Sequence, residues 1–108
     1  MRVQLVGPMT GIDGFNYGAF NEAAERLRAA GHDVFSPAES YGGDQSYPRS
    51  AYMRASLAAL LHAEVVVLLP GWETSPGSKT EMRTALALEI PVVPLEAFQT
   101  GTAALTFV

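Results

Sequence analysis

The stretch EVVVLLPGWETSPGSKTEM, residues 64–82, decides the fold class of this chain. It opens with an unbroken run of aliphatic, mostly β-branched residues, which is typical of a strand buried on both faces of a parallel sheet. The run ends at Pro70, and a loop of small and turn-forming residues leads to Glu81, in a helix predicted over residues 78–89. Because a strand followed by a helix is the first half of a βαβ unit, the stretch indicates an α/β protein.

Similar elements are predicted on both sides of this stretch. Further short strands are expected at residues 3–6, 32–37 and 90–95. Apolar residues recur at helical spacing from Asn16 to Gly31, with Asn16 or a nearby residue as the expected cap, and again after Pro48. The alternation predicts an open parallel sheet of four or five strands with helices on both faces, flavodoxin- or Rossmann-like in the order 2-1-3-4. The tail, residues 96–108, is expected either to add the fifth strand or to dock on a neighbouring subunit.

Length and composition exclude several classes of function. The chain has 108 residues, 48% of them hydrophobic, and these values predict one soluble domain over residues 1–108. A formal charge of -4 argues against a nucleic-acid polymer as partner, and no apolar run is long enough to cross a membrane. With no cysteine and only two histidines, neither at metal-ligand spacing, we expect no metal and no cofactor. The N-terminus lacks the pattern of a signal peptide, so a cytoplasmic location is expected.

Two loops carry the candidate binding residues. GPMTG, residues 7–11, follows the first strand, and the loop before Glu81 follows the third. In the order 2-1-3-4 both loops flank the point where strand order reverses, and ligands bind there in open α/β sheets. Gly7 allows a ligand to approach the backbone closely, while Ser75, Gly77 and Ser78 lie where a helix start offers free N–H groups to an anion.

Glu81 and Trp72 each have two interpretations that the sequence pattern leaves open. Ser78 to Glu81 fits the S-x-x-E capping box, in which the carboxylate would bind the Ser78 N–H. Alternatively, Glu81 lies in line with Ala85 and Leu88 on a small apolar face, which favours a carboxylate turned into a pocket. The single tryptophan, Trp72, is expected either to stack on a planar ligand or to pack at a sheet edge or subunit interface.

A family resemblance adds to this reading. The matching segments are LVGPMTG, FNYGAFNEAAERLRAAGHDVFSPAE, YMRASL and VVVLLPGWETSPGSKTEMRTALAL. Together they resemble a phage and prophage family that is similar to the nucleoside 2-deoxyribosyltransferase superfamily, which also contains 2'-deoxynucleoside 5'-monophosphate N-hydrolases. The resemblance implies a small-molecule nucleotide or nucleoside as substrate and a homo-oligomer, dimer or larger. It also implies hydrolysis or base transfer at the N-glycosidic bond.

The resemblance assigns roles to individual residues. Glu81 would be the nucleophile that attacks the anomeric carbon, kept ionised by its position near a helix N-terminus. Ser75, with Gly77 and Ser78 beside it, would lie near the 5'-phosphate of a nucleotide. Backbone contacts to sugar and base would come from the loop after the first strand, through Gly7, Pro8 and Met9.

Ser56 departs from the pattern of the active enzymes. It is the only polar residue in the predicted inner stripe of the second helix, and by resemblance it contacts the substrate. The active enzymes have an aspartate there that positions the sugar or protonates the base, which a serine does not do in the same way. A second interpretation is therefore a non-catalytic module that binds, senses or sequesters a nucleotide. A third is a protein whose loops only pack.

Overall fold

The computed structural model describes residues 1–100, which contain one four-stranded parallel sheet in the order β2-β1-β3-β4. The strands are β1 Arg2–Val6, β2 Asp33–Phe35, β3 Val65–Leu68 and β4 Val92–Pro94. The helices are α1 Tyr17–Ala29, α2 Arg49–Leu60, α3 Pro76–Ala87 and α4 Leu95–Thr100. The predicted fold class and the strand order 2-1-3-4 are confirmed.

The two central strands, β1 and β3, set the geometry of the sheet. They pair in parallel from Val3 opposite Val65 to Val6 opposite Leu68. From β1 the chain crosses outward to β2, and from β3 it crosses the other way to β4, so the strand order reverses between the central pair. The loops after β1 and β3 therefore leave the sheet side by side, at the position where such folds bind ligands.

Each face of the sheet is covered by helices. On one face α4 adds Ala97 and Phe98, and α1 buries the four apolar residues at helical spacing, Phe20, Ala23, Ala24 and Leu27. On the other face α2 and α3 contribute Leu60 and Ala85 to a second cluster. No helix in residues 1–100 has the length and apolar character needed to cross a membrane.

The beginning of the predicted tail is a helix. Leu95–Thr100 forms α4, and its residues Leu95 and Phe98 pack on the core at the i, i+3 spacing of a helix. Residues 96–100 therefore do not contribute a fifth strand, and the sheet within the described part of the chain has four strands. The rest of the tail, residues 101–108, lies outside the described residues.

Two helix ends differ in detail from the prediction. Asn16 occupies the N-cap position of α1 as expected, but its side chain makes no capping hydrogen bond; its Nδ2 instead donates a hydrogen bond to the carbonyl of Pro8, 3.0 Å away. Leu88 was expected on the inner face of the third helix, but α3 ends at Ala87 and Leu88 is 45% exposed. Helical spacing does not hold past the last residue of a helix.

α3 begins earlier than predicted because its cap lies upstream of Ser78. Ser75 is the N-cap, and its Oγ accepts a hydrogen bond from the Ser78 N–H at 3.2 Å. Pro76 follows at the first helical position, where its missing N–H carries no penalty. The Ser78 N–H is thus already bonded, and the capping box between Ser78 and Glu81 is not formed.

A prediction concerns Gly7, where the chain leaves β1. A Cβ atom there would lie 2.8 Å from the Cβ of Leu69, so a substitution must displace packed backbone. We expect Gly7→Ala to lower the free energy of unfolding by about 1–3 kcal/mol, measured by urea denaturation. Gly18→Ala is the matched control, because nothing lies within 4 Å of a Cβ on Gly18 in α1. Equal unfolding midpoints for the two variants would show that this close approach is unimportant.

Candidate functional site

A cavity of about 290 Å³ opens where the loops after β1 and β3 meet. This volume is near the lower end of the range typical of small-molecule sites. Seven residues predicted to form the site line it: Gly7, Met9, Ser56, Ser75, Gly77, Ser78 and Glu81. The residues predicted from three separate segments thus come together at the reversal point of the sheet.

Pro8 is the predicted site residue that does not line the cavity. It is buried, its carbonyl accepts the hydrogen bond from Asn16, and its ring lies close to Gly71 in the loop after β3. Pro8 therefore joins the two loops beside the cavity and does not face it.

Glu81 lies in the cavity wall and is 8% exposed. Its Oε2 has no hydrogen-bond partner among the described residues. Burial raises the pKa of the Glu81 carboxyl from 4.5 to about 7, and the neighbouring Gln4 amide offsets only part of that rise. The expectation that the helix N-terminus keeps Glu81 ionised is corrected: Glu81 is the sixth residue of α3, beyond the first turn where the dipole acts.

Gln4 is a buried polar residue beneath the cavity that sequence reasoning missed. It lies in β1 between Val3 and Leu5, and its Nε2 donates a 2.7 Å hydrogen bond to the carbonyl of Ser56 in α2. Its Oε1 has no partner in the described part of the chain. Gln4 thus connects the central strand to α2 next to Glu81. A glutamine inside the apolar segment VQLV was the available signal.

An aromatic wall closes one side of the cavity. It is formed by Phe15, Tyr17, Tyr47 and Tyr52. Tyr47 stacks on Tyr41 with ring centroids 4.1 Å apart and an angle of 4° between the planes. Sequence analysis did not find this wall, because aromatic residues at irregular spacing carry no periodic signal.

The hydroxyl of Tyr52 holds the segment before α2 in place. It donates to the carbonyl of Asp44 and accepts a hydrogen bond from the N–H of Tyr47 at 3.1 Å. Asp44 in turn accepts bonds from the N–H and the hydroxyl of Ser46. Residues 44–47 are therefore tied to α2 beside the cavity.

Other candidate functional groups among residues 1–100 do not lie at this site. Trp72 packs against the cluster formed by α2, α3 and the sheet and does not line the cavity. Residues 1–100 contain no group of three or more histidine, cysteine, aspartate or glutamate side chains that could hold a metal ion. Among the described residues that line the cavity, the charged side chains are Glu81 in its wall and the exposed Arg49.

Fold and site together define an α/β protein with an open parallel sheet and a carboxyl-bearing cavity at its reversal point. A family model described as a domain of unknown function, DUF4406, matches residues 1–94. The chain therefore belongs to the DUF4406 family. No curated protein matches it.

Solved structures share the fold. A 2-deoxyribosyltransferase from Bacillus psychrosaccharolyticus is similar with a TM-score of 0.69 at 20% identity, over 87% of this chain and 71% of that one. A conserved protein from Enterococcus faecalis V583 is similar with a TM-score of 0.66 at 26% identity. That second match covers 87% of this chain and 62% of the other. The resemblance to the deoxyribosyltransferase is confirmed at the level of the fold.

The raised pKa of Glu81 predicts a pH-dependent difference in stability. The folded carboxyl, with a pKa of about 7 instead of 4.5, binds more protons than the unfolded one between these pH values. Stability conferred by this group is therefore fully present below about pH 4.5 and is lost as pH rises through 7. Each pKa unit corresponds to 1.36 kcal/mol. At pH 8 the free energy of unfolding of Glu81→Gln should therefore exceed that of the parent by up to about 3 kcal/mol.

The measurement is urea denaturation of parent and Glu81→Gln at pH 4 and pH 8. The advantage of the variant should appear at pH 8 and largely vanish at pH 4. Glu73→Gln, at an exposed carboxylate in the loop before α3, is the control and should change stability by less than about 0.5 kcal/mol at either pH. The same gain at both pH values would contradict the raised pKa.

Proposed function

We propose that the protein cleaves the N-glycosidic bond of a 2'-deoxynucleoside 5'-monophosphate or a 2'-deoxynucleoside, with Glu81 as the nucleophile. The observation that carries the proposal is the buried carboxyl of Glu81, whose Oε2 has no partner within residues 1–100, in a cavity at the reversal point of the sheet. The similarity of the fold to a 2-deoxyribosyltransferase supports the same class of reaction.

In the first step a carboxylate oxygen of Glu81 attacks C1' of the deoxyribosyl group. The C1'–N bond breaks, its electron pair leaves with the base, and the sugar is held as an ester of Glu81. The absence of a 2'-hydroxyl makes positive charge at C1' easier to develop, so a site with few catalytic groups suits this substrate. The aromatic wall of Phe15, Tyr17, Tyr47 and Tyr52 offers a surface for the planar base.

In the second step a nucleophile attacks C1' and releases the Glu81 carboxylate. Water gives the free sugar or sugar phosphate, and a second base gives a new nucleoside or nucleotide; the proton that the attacking group loses balances the proton that the departed base takes up from solvent. Two displacements at the same carbon retain the configuration at C1'. The sequence of steps regenerates the enzyme with Glu81 ionised.

Ser56 is the observation that favours a second function. It is 2% exposed and lines the cavity at the position where the resemblance implies a catalytic aspartate. Among the described lining residues Glu81 is then the only carboxyl, so no second carboxylic acid stands ready to protonate the departing base. The alternative is a binding module of the same fold that senses or sequesters a nucleotide.

An assay for base release decides between these functions. The protein is incubated with each 2'-deoxynucleoside and each 5'-monophosphate, and free base is measured by chromatography. We expect release from at least one substrate and a loss of about a thousandfold or more in Glu81→Gln, because the nucleophile is removed. Glu73→Gln is the control variant. Equal release by the parent and Glu81→Gln would refute the assignment of the nucleophile.

If no base is released from any substrate, the enzyme proposal fails. A rise in the unfolding temperature with a nucleotide would then support the binding module, since a ligand that binds the folded state stabilises it. If no nucleoside or nucleotide raises the unfolding temperature, the remaining interpretation is a protein whose loops only pack.

The pKa of Glu81 predicts the pH dependence of catalysis. Only the ionised carboxylate attacks C1', and burial raises its pKa to about 7. We expect kcat/KM to increase with pH and to reach half of its plateau near pH 7, where the free enzyme is half ionised. A profile of kcat/KM from pH 5 to 9 measures this, and a flat profile would contradict the role of Glu81.

The proposal includes assembly into a dimer or a larger homo-oligomer and action on small molecules. Leu61 and Leu88, just after α2 and α3, are 66% and 45% exposed and provide apolar surface for such contacts. Size-exclusion chromatography with light scattering measures the assembly, and a monomer at the concentrations of the assay would contradict it.

A further inference from the structure

Within residues 1–100, Arg49 is a cation without a partner at the cavity. It is the first residue of α2, its side chain is exposed, and it lines the cavity. Its guanidinium makes no hydrogen bond or ion pair with any residue from 1 to 100. By contrast, Arg26 and Arg28 are each paired with a glutamate. An arginine that remains unpaired beside a cavity, in a chain of net charge -4, is available to an anionic ligand.

The guanidinium lies against the first turn of α3. Measured from the position of a Cβ built on Gly77, Nη2 of Arg49 is 3.8 Å away and Oγ of Ser75 is 4.0 Å away. Ser75 already accepts hydrogen bonds from the N–H groups of Ser78 and Lys79, through its Oγ and its carbonyl oxygen. The Gly77 N–H, in the same first turn, is left for a ligand. The methyl carbon of Met53 is the nearest atom to the same Cβ position, 3.1 Å away, so a side chain at residue 77 would crowd Met53 beside these donors.

Ser78 provides an independent sign of a ligand. It is 2% exposed, it lines the cavity, and its Oγ has no hydrogen-bond partner in the described residues. The Ser75 hydroxyl accepts from the Ser78 N–H, so its own proton remains available. Guanidinium, N–H and hydroxyl groups are all donors, and together with the positive end of the α3 dipole they match a phosphate in charge and in hydrogen bonding.

The spacing along α3 agrees with a sugar phosphate. Gly77 and Glu81 are four residues apart, which corresponds to about 6 Å along a helix axis. A deoxyribose spans a comparable length between C1' and a phosphate on its 5'-oxygen. A phosphate near Gly77 would therefore place C1' near the Glu81 carboxyl, while the base points toward the aromatic wall.

We propose that Arg49, with the Ser75–Ser78 turn, binds the 5'-phosphate of the substrate and makes the protein specific for a nucleoside monophosphate over a nucleoside. This inference rests on the proposed function for its choice of sugar. Arg49 has a further effect, because its positive charge compensates the negative phosphate that would otherwise repel the Glu81 carboxylate.

The test compares Arg49→Gln with Arg54→Gln, an exposed arginine on α2 that does not line the cavity. The measured quantity is kcat/KM for a 2'-deoxynucleoside 5'-monophosphate divided by kcat/KM for the same nucleoside. We expect Arg49→Gln to lower this ratio at least about tenfold, as loss of a charged hydrogen bond does. Arg49→Lys, which keeps the charge but loses the fork of donors, should recover part of it.

Two results would overturn the inference. One is an unchanged ratio in Arg49→Gln, and the other is an equal fall in Arg49→Gln and Arg54→Gln, which would indicate general charge attraction only. Arg49 is exposed, so its variants should fold, and their unfolding temperatures are measured as a check.

A binding experiment keeps the inference testable if catalysis is absent. In the Glu81→Gln background, calorimetry measures Kd for the same monophosphate and nucleoside with and without Arg49→Gln. Tighter binding of the monophosphate that is lost with Arg49→Gln supports the phosphate site even when no base is released. Equal binding of both ligands, or no binding of either, refutes it.

Discussion

The parallel pairing of β1 with β3 is the constraint on which the candidate site depends. Their register, from Val3 opposite Val65 to Val6 opposite Leu68, ends both strands at the same level, so that their loops leave together. The close approach of Gly7 to Leu69 keeps the two loop starts in contact. A slip of one residue in β1 would turn Gln4 away from α2 and α3, since alternate residues of a strand face opposite sides.

Buried polar atoms around the cavity lower the stability of the folded protein. Three of the buried polar atoms without partners lie in or beneath the cavity: Gln4 Oε1, Ser78 Oγ and Glu81 Oε2. Each unsatisfied group costs about 1–3 kcal/mol, and apolar residues such as Val6 and Val66 fill the neighbouring positions on the same face of the sheet. Such departures from a uniform core concentrate at functional sites, because ligands satisfy the groups there.

Residues whose environment is set by local pattern were predicted well, and those set by tertiary contacts were not. The run from Val65 to Leu69 and the apolar stripe of α1 indicate burial directly, so the buried strand and the inner face of this helix followed from them. Asn16 has the chemistry of a cap, yet the nearby Pro8 carbonyl takes its side chain. Tyr47 lines the cavity in a segment that is hydrogen-bonded to the Tyr52 hydroxyl, and a side-chain hydrogen bond of this kind has no signature in spacing.

The described lining residues include no second carboxyl, but this absence alone does not exclude catalysis at the site. A positioned acid contributes about 10²–10⁴-fold to a rate, which is about 3–5 kcal/mol. Enzymes lower their barriers by about 8–23 kcal/mol in total, so the nucleophile and the positioning of the substrate can supply the greater part. On the proposed mechanism, Ser56 in place of an aspartate therefore implies a slower catalyst, provided that Glu81 is ionised and C1' is held against it. That condition ties the reactivity of Glu81 to the groups that orient the sugar, and it makes binding at the start of α3 as important to the rate as the carboxylate itself.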